Sequence, residues 1–444
     1  MTDNTYLLGI DFGTESVRAA IFDLAGRPVS FAATTYHTTH PHPGWAEQDP
    51  EEWWEALQAS CHKVIAASGI SPAAIKGISY DATTMTVVAM DKRGEALRPA
   101  IMWMDVRATE QAARAEKSDS VARLYNGRGT APATAEWYPF KAAWLRENER
   151  ETYDAAFRLV DAPDWVTYKL TGEWTTNINS AALRMYYNRD QGGWPTDFYE
   201  TIGCGDVFSK IPENVVDLGT PAGELSVIAA QLLGLRPGIP VAQGPADAWA
   251  GQIGLGVVEP GVMALITGSS HVLTGQTDKP IHGKGFFGAY TDGVVKGQYT
   301  VEGGQVSTGS VLKWFKDNFA RDLIQAAEAT GLNVYDILNK QKGPATRFRR
   351  ADHQRVFPGQ PHPVHGFEGP RRDLGALAAP RPSSLLPRHP GVGLLRHRPQ
   401  PAGHVCGWLR GQEDRRRRRR DEEPRLDADA CGRHRGPNRP DRGR

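Results

Sequence analysis

The sequence predicts an α/β chain of two domains built on one plan, followed by a tail of different character. Three observations carry this. Short apolar runs separated by turn residues interleave with a capped helix between Tyr6 and Met90. The strand–polar turn–strand pattern that opens the chain restarts near Val257. Composition then changes at Gly343, beyond which Lys, Ile, Tyr and Met are absent while Arg, Pro and His accumulate. Strands draw on Ile, Val and aromatic residues, so residues 343–444 are expected to form an irregular or disordered tail.

The elements follow in order. Tyr6–Ile10 and Val17–Phe22 read as strands joined by Asp11-Phe12-Gly13-Thr14, and Asp23-Leu24-Ala25-Gly26 as the next turn. Asp49 suits a helix N-cap and Pro50 the first helical position, with Glu52 three residues after the cap. This is a capping box opening a helix to about Ala67. Ile75–Tyr80 and Thr86–Met90 read as two further strands, the second closed by the turn Asp91-Lys92-Arg93-Gly94. In the restarted pattern, Val262–Thr267 and His271–Gln276 read as strands around Gly268-Ser269-Ser270. The domain boundary is expected at 256/257.

Composition excludes several classes of function. The 444 residues carry a formal net charge of +1, so no global charge points to nucleic acid or a membrane surface. No run is long and apolar enough to span a bilayer. The N-terminus, MTDNTYLLGIDFG, lacks a basic region followed by an apolar run, so no signal peptide is expected. Cys61, Cys204, Cys406 and Cys431 are far apart and form no C-x-x-C pair. A reducing, cytoplasmic setting is therefore expected.

Five motifs could carry chemistry. Gly13, Thr14 and Ser16 form a turn whose N–H groups and hydroxyls could hold an anion, with Arg18 adding positive charge. An ordinary hairpin is the plainer reading, and no G-K-[ST] follows to make a Walker loop. Thr267 and Gly268 offer a second such turn. Asp247 sits among small residues in Gly244-Pro245-Ala246-Asp247-Ala248, between an apolar strand at Ile239–Ala242 and a helix. A carboxylate there could take a proton from an attacking hydroxyl, or merely cap the helix. Trp103-Met104-Asp105-Val106-Arg107 offers a stacking face, an acceptor and a donor, as a polyol pocket would, or a surface ion pair. Glu302-Gly303-Gly304-Gln305 followed by Ser307-Thr308-Gly309-Ser310 leads into a helix that could lie against a nucleotide, or simply be capped there.

Together and in this order the motifs resemble the FGGY family of carbohydrate kinases, from about Tyr6 to about Lys342. GWAEQDPEEWWEAL, MWMDVRA and GPADAWAGQIGLG are similar to their family forms. The resemblance implies two actin-like (ribonuclease H-like) domains closing on ATP and a sugar. The N-terminal sugar-binding domain would be 1–256. The C-terminal ATP-binding domain would begin at 257 and be incomplete after 342. It also implies that Asp247 is the catalytic base. Gly13, Thr14, Ser16, Arg18, Thr267, Gly268 and Gly309 would contact ATP, and Asp11 would serve Mg²⁺. Thr84, Asp105, Arg184 and Glu302 would bind the sugar. VEGGQVSTGS and NSAALRMYY resemble the ribulokinase branch. Arg184 stands where L-ribulokinases carry Lys, and Asp81-Ala82-Thr83-Thr84 differs from their D-F-T-A, so D-ribulose is the first expected substrate. Glycerol kinases carry an Arg-Glu pair where this chain has Thr83-Thr84, which argues against glycerol.

Past Lys342 the resemblance stops. One reading is a basic interaction tail, with six arginines at Arg415–Arg420. The favoured reading is a shifted reading frame. Permitted codons read one base later across Phe357–Pro370 and Leu385–Gln400 can spell peptides similar to family segments. The partner expected is a small-molecule sugar, with no nucleic acid and no membrane, and a homodimer is compatible with the sequence. Two alternatives in function are an inactive truncated kinase and a non-catalytic sugar- or nucleotide-binding relative.

Overall fold

The computed structural model describes residues 5–126, 132–268, 271–283, 285–305 and 308–340. The expectations for residues 343–444, the frame shift and the arginine run, lie outside these, as do Ser269 and Ser270.

β1 (Tyr6–Phe12), β2 (Ser16–Asp23) and β3 (Pro28–Thr35) form the antiparallel meander foreseen from the opening apolar runs. β4 (Glu47–Gln48) leads into α1 (Pro50–Ser68). Asp49 caps this helix, accepting the Glu51 N–H at 2.9 Å, and Pro50 fills its first turn. The second half of the capping box does not form, because Glu52 turns away and accepts the His37 N–H at 3.0 Å. The apolar stripe Trp53, Leu57, Cys61, Val64 is buried, as a helical period requires.

β5 (Ile75–Ala82), β6 (Val87–Met90) and β7 (Ala100–Ile101) follow, then α2 (Thr109–Ala115), α3 (Tyr138–Asn148), α4 (Arg150–Ala155) and β8 (Arg158–Asp161). Next come α5 (Ala162–Thr171), β9 (Thr176–Asn177), α6 (Ile178–Arg184), α7 (Thr196–Thr201) and β10 (Val215–Val216). β11 (Pro221–Glu224), α8 (Val227–Leu233), β12 (Pro240–Ala242) and α9 (Asp247–Gly254) close this part. The restarted pattern gives β13 (Met263–Thr267), β14 (His271–Thr277), β15 (Phe287–Thr291) and β16 (Tyr299–Gln305). Three helices follow: α10 (Gly309–Phe319), α11 (Arg321–Thr330) and α12 (Val334–Lys340).

The main sheet has the order β11-β12-β5-β1-β2-β3, with β1, β5 and β12 parallel at its centre. One core packs this sheet on α1, α5 and α8, through Ile10, Val17, Ile21, Leu57, Ile78, Trp165, Leu233 and Val241. A second core, around Tyr138, Phe140, Tyr153 and Phe198, lies beside the small sheet β4-β7-β6-β8. The last sheet, β13-β14-β16-β15, is antiparallel throughout. It meets the first part through a core of Leu183, Ala246, Trp249 and Tyr290. Loops at the carboxyl ends of parallel strands are where α/β sheets hold ligands, and Asp11, Asp81 and Asp247 lie at the ends of β1, β5 and β12.

Candidate active site

Asp11 and Asp81 lie side by side because β1 and β5 are parallel and in register at these residues. On the other side Asp11 faces Arg18 across the β1–β2 ladder, and the Arg18 guanidinium donates to Asp11 Oδ2 at 2.5 Å. Asp247 stands on the first turn of α9, one residue beyond the N-cap Ala246, and accepts the Ala248 N–H at 2.7 Å. It is therefore not the capping residue. Its side chain reaches solvent, but the protein ringing it limits hydration of the charge. That loss of hydration, with the Asp11 charge second, pushes its pKa up to about 6. Burial raises Asp81 well above the usual carboxylate range, with Asp11 and Asp247 adding repulsion.

The backbone around Asp247 is held from both sides. Asn179 Oδ1 accepts the Ala246 N–H at 3.1 Å, and its amide donates to Gly293 O at 2.7 Å. Asn177 caps α6 and donates to Gly244 O. Gly244 passes so close to β5 that a Cβ there would lie 1.6 Å from Tyr80 O.

The Gly13–Ser16 turn is closed by the Gly13 N–H donating to Ser16 O at 3.1 Å, and Tyr36 Oη donates to Gly13 O. Thr14 is fixed by Trp103, whose indole N–H donates to Thr14 Oγ1 at 3.0 Å. Beside the turn lies a cavity of about 490 Å³, lined among others by Glu15, Gly268, Gly309, Lys313 and Tyr335. Its size suits a nucleotide-scale ligand. Gly268 and Gly309, named from separate motifs, face the same cavity, and Thr267 ends β13 beside Gly268.

Arg184 and Glu302 meet across the two parts of the chain. Arg184 Nη2 donates to both Glu302 carboxylate oxygens, at 2.7 and 2.6 Å, and Nη1 donates to Tyr290 Oη at 3.0 Å. The guanidinium lies 5.3 Å from the Trp249 ring and 5.7 Å from those of Trp137 and Tyr290. Arg184 Nε and Trp249 Nε1 are buried donors with no partner among the described residues. A buried donor without an acceptor is costly, and sugar hydroxyls are acceptors of the right kind.

The other two expected sugar contacts, Thr84 and Asp105, are likewise engaged by protein. Thr84 Oγ1 donates to Asp161 Oδ2 at 2.7 Å. Asp105 is wholly buried, accepting from the Ala46 N–H at 2.7 Å and from Arg107 through its backbone N–H, Nε and Nη2. Arg107 stacks 3.7 Å over Trp45 and also pairs with Glu47. This buried knot is neither the surface ion pair nor an open pocket wall; it anchors the Trp103 segment from behind.

Among the described residues no group of three or more His, Cys, Asp or Glu side chains is spaced to hold a metal ion. The donor chemistry nevertheless fits Mg²⁺. Asp81 Oδ1 is buried without a hydrogen-bond partner beside the Asp11 carboxylate, and Mg²⁺ takes one or two carboxylates together with phosphate oxygens and water. Asp81, Trp249 and Tyr290 escaped the sequence reading; the acid of Asp81-Ala82-Thr83-Thr84 was the available signal for the first.

Comparison with known proteins fits this arrangement. Residues 6–254 match the N-terminal domain of the FGGY family of carbohydrate kinases, and residues 263–372 its C-terminal domain. The chain belongs to the FGGY family of carbohydrate kinases. The second match runs to residue 372, past Lys342, where the resemblance was expected to stop. A ribulokinase of Geobacillus thermodenitrificans is 30% identical over 373 residues, 76% of this chain and 64% of that protein. An FGGY carbohydrate kinase domain-containing protein of Xenopus laevis is 32% identical over 409 residues, 84% of this chain and 72% of that protein. The crystal structure of xylulose kinase from Rhodospirillum rubrum superposes with a TM-score of 0.63 at 25% identity, over 77% of this chain and 68% of that one. The chain thus spans somewhat less than two thirds of the Geobacillus ribulokinase. No helix among the described residues is long and apolar enough to cross a membrane.

Proposed function

We propose that the chain transfers the γ-phosphoryl group of ATP to the terminal hydroxyl of a ketopentose in the cytoplasm. D-ribulose is the favoured acceptor, with L-ribulose or another pentulose next. The observation that carries this reading is the position of Asp247. It lies beside the Asp11–Arg18–Asp81 cluster and on the helix whose Trp249 borders the Arg184–Glu302 pair.

In this reading Arg184, Glu302 and Trp249 orient the sugar, and its terminal hydroxyl faces Asp247. Asp247 accepts the hydroxyl proton as the oxygen attacks the γ-phosphorus. The bond from phosphorus to the bridging oxygen of ADP breaks, and a ketopentose 5-phosphate and ADP result. Gly13, Thr14, Ser16 and Arg18 hold the phosphates from one side, and Thr267, Gly268 and Gly309 from the other. Asp11 and Asp81 would hold Mg²⁺, which when bound neutralises phosphate charge. Positioning and charge stabilisation supply most of the rate.

A coupled ADP-release assay with D-ribulose, L-ribulose, D-xylulose and glycerol tests this. We expect D-ribulose to give the highest kcat/KM, and Asp247→Ala to lower kcat by at least about a thousandfold while ATP binding changes little. Near-normal turnover in that variant would remove Asp247 from the mechanism.

A second reading, a chain that binds sugar or nucleotide without turning over, is favoured by one observation. Trp314 of α10, which lines the nucleotide-sized cavity, is 47% exposed, and Met263 and Leu265 of β13 and Leu312 of α10 are exposed as well. Ligand binding without ADP release from the unmodified chain would select it.

A further inference from the structure

Lys141 is a buried charge that the proposed reaction leaves unused. It sits on α3 with no exposed surface. Its ammonium donates to three carbonyl oxygens: Met85 O at 2.8 Å, Met102 O at 2.6 Å and Trp103 O at 3.3 Å. An ammonium in such a place is costly. Burial pushes its pKa down to about 7, although Asp105, Glu136 and Asp161 favour the charge. A medium-length apolar side chain would fill the same volume at less cost, so the three bonds point to a role.

The three carbonyls belong to two segments that border the sugar and phosphate regions. Met85 has a φ of 63°, a left-handed conformation that a side chain as long as methionine adopts only under constraint. It lies between Thr84, which donates to Asp161 Oδ2, and Thr86, whose N–H donates to Asp161 Oδ1 at 2.9 Å. The Thr86 hydroxyl in turn accepts the Trp103 N–H at 3.2 Å. Trp103 reaches on to Thr14 in the phosphate turn at 3.0 Å. One ammonium thus ties the Thr83–Thr86 turn to the Met102–Trp103 segment, and through Trp103 to the turn that would hold phosphate.

We infer that Lys141 is a positioning residue: it holds the Thr84 and Trp103 segments in register with each other and with the Gly13–Ser16 turn, and so sets the fit of the sugar. The kinetic part of this inference rests on the proposed kinase activity; the positional part does not.

The test uses the full chain and two variants, Lys141→Met and Met85→Gly. The first removes the three donors at similar volume, and the second frees the constrained turn. Hydrogen exchange is followed by peptide, and KM and kcat are measured for D-ribulose and for ATP. In both variants we expect faster exchange at residues 83–86 and 102–104, with β1 and α1 unchanged. The KM for D-ribulose should rise about tenfold, and the KM for ATP should rise by a smaller factor, through Trp103 and Thr14. The two effects should be less than additive in the double variant, because both act through one turn. Unchanged exchange at both segments in both variants would overturn the inference, as would a D-ribulose KM that does not move. If Lys141→Met exchanges throughout the chain, it has unfolded and Met85→Gly decides. If the unmodified chain shows no turnover, the functional reading fails and the exchange result alone decides the position of Lys141.

Discussion

At the scale of single residues, the pKa of Asp247 makes the proposed chemistry dependent on pH in a definite direction. Burial and the neighbouring Asp11 raise it to about 6. A base works in its deprotonated form, so kcat/KM for D-ribulose should climb as pH rises through about 6 and then level off. Arg18 favours the charged form, so Arg18→Met should move that limb to higher pH as well as weaken phosphate binding. Stability runs the other way. The folded-state pKa is raised from the ordinary value of 3.8 to about 6, so the carboxyl costs the fold stability as pH rises from about 3.8 to about 6, and the loss is complete above that. Asp247→Asn should therefore raise the melting temperature at pH 7.5 but not at pH 4, while losing turnover. A melting temperature that falls equally at both pH values would contradict this account of the carboxylate.

At the scale of elements, the sequence showed what depends on near neighbours. The β1–β2 meander, the capped α1, and the strand–helix passage carrying Asp247 were all readable from apolar runs, Pro50, Asp49 and turn residues. What depends on pairing between distant segments was not. Asp81 becomes a neighbour of Asp11 only through the parallel register of β1 and β5, and sequence carries no signal for such a register. Asp105 and Arg107 read in isolation more as a surface pair than as a pocket, because their burial comes from Trp45 and Trp144 on other segments. Strands of two residues, such as β9 and β10, are too short for a period to be seen. The same distinction explains Gly244. In sequence it is one small residue among several; in the fold it is the point where the Asp247 segment crosses β5, with room for no Cβ beside Tyr80 O. Gly244→Ala should therefore cost about 3 kcal/mol or more, since the obstacle is backbone rather than a yielding side chain. Denaturant unfolding of the variant with an unchanged m-value would measure this. A loss below about 1 kcal/mol would show that β5 and the Asp247 segment can separate freely.

At the scale of the whole molecule, the two parts of the chain differ in how well they cover their apolar surface. The main sheet buries Leu8, Ile10, Val17, Ile78 and Val241 under α1, α5 and α8. The last sheet is covered less completely. Among the described residues β13 is an edge strand, whose Met263 and Leu265 are 47% and 52% exposed; Leu273 on its neighbour β14 is 42% exposed, and Trp314 and Phe319 of α10 are nearly half exposed. An edge strand that offers unpaired backbone groups together with apolar side chains is a template for association. The purified chain should therefore bind an apolar-surface dye and form oligomers that grow with concentration. Leu265→Lys should reduce both, because a charge on the edge opposes pairing with another strand. Light scattering after size exclusion checks the prediction: a chain that stays monomeric at high concentration and binds no dye would mean that its own remaining residues cover β13. A Leu265→Lys variant that associates as strongly as the parent would place the sticky surface elsewhere, with α10 and its exposed Trp314 next to be tested.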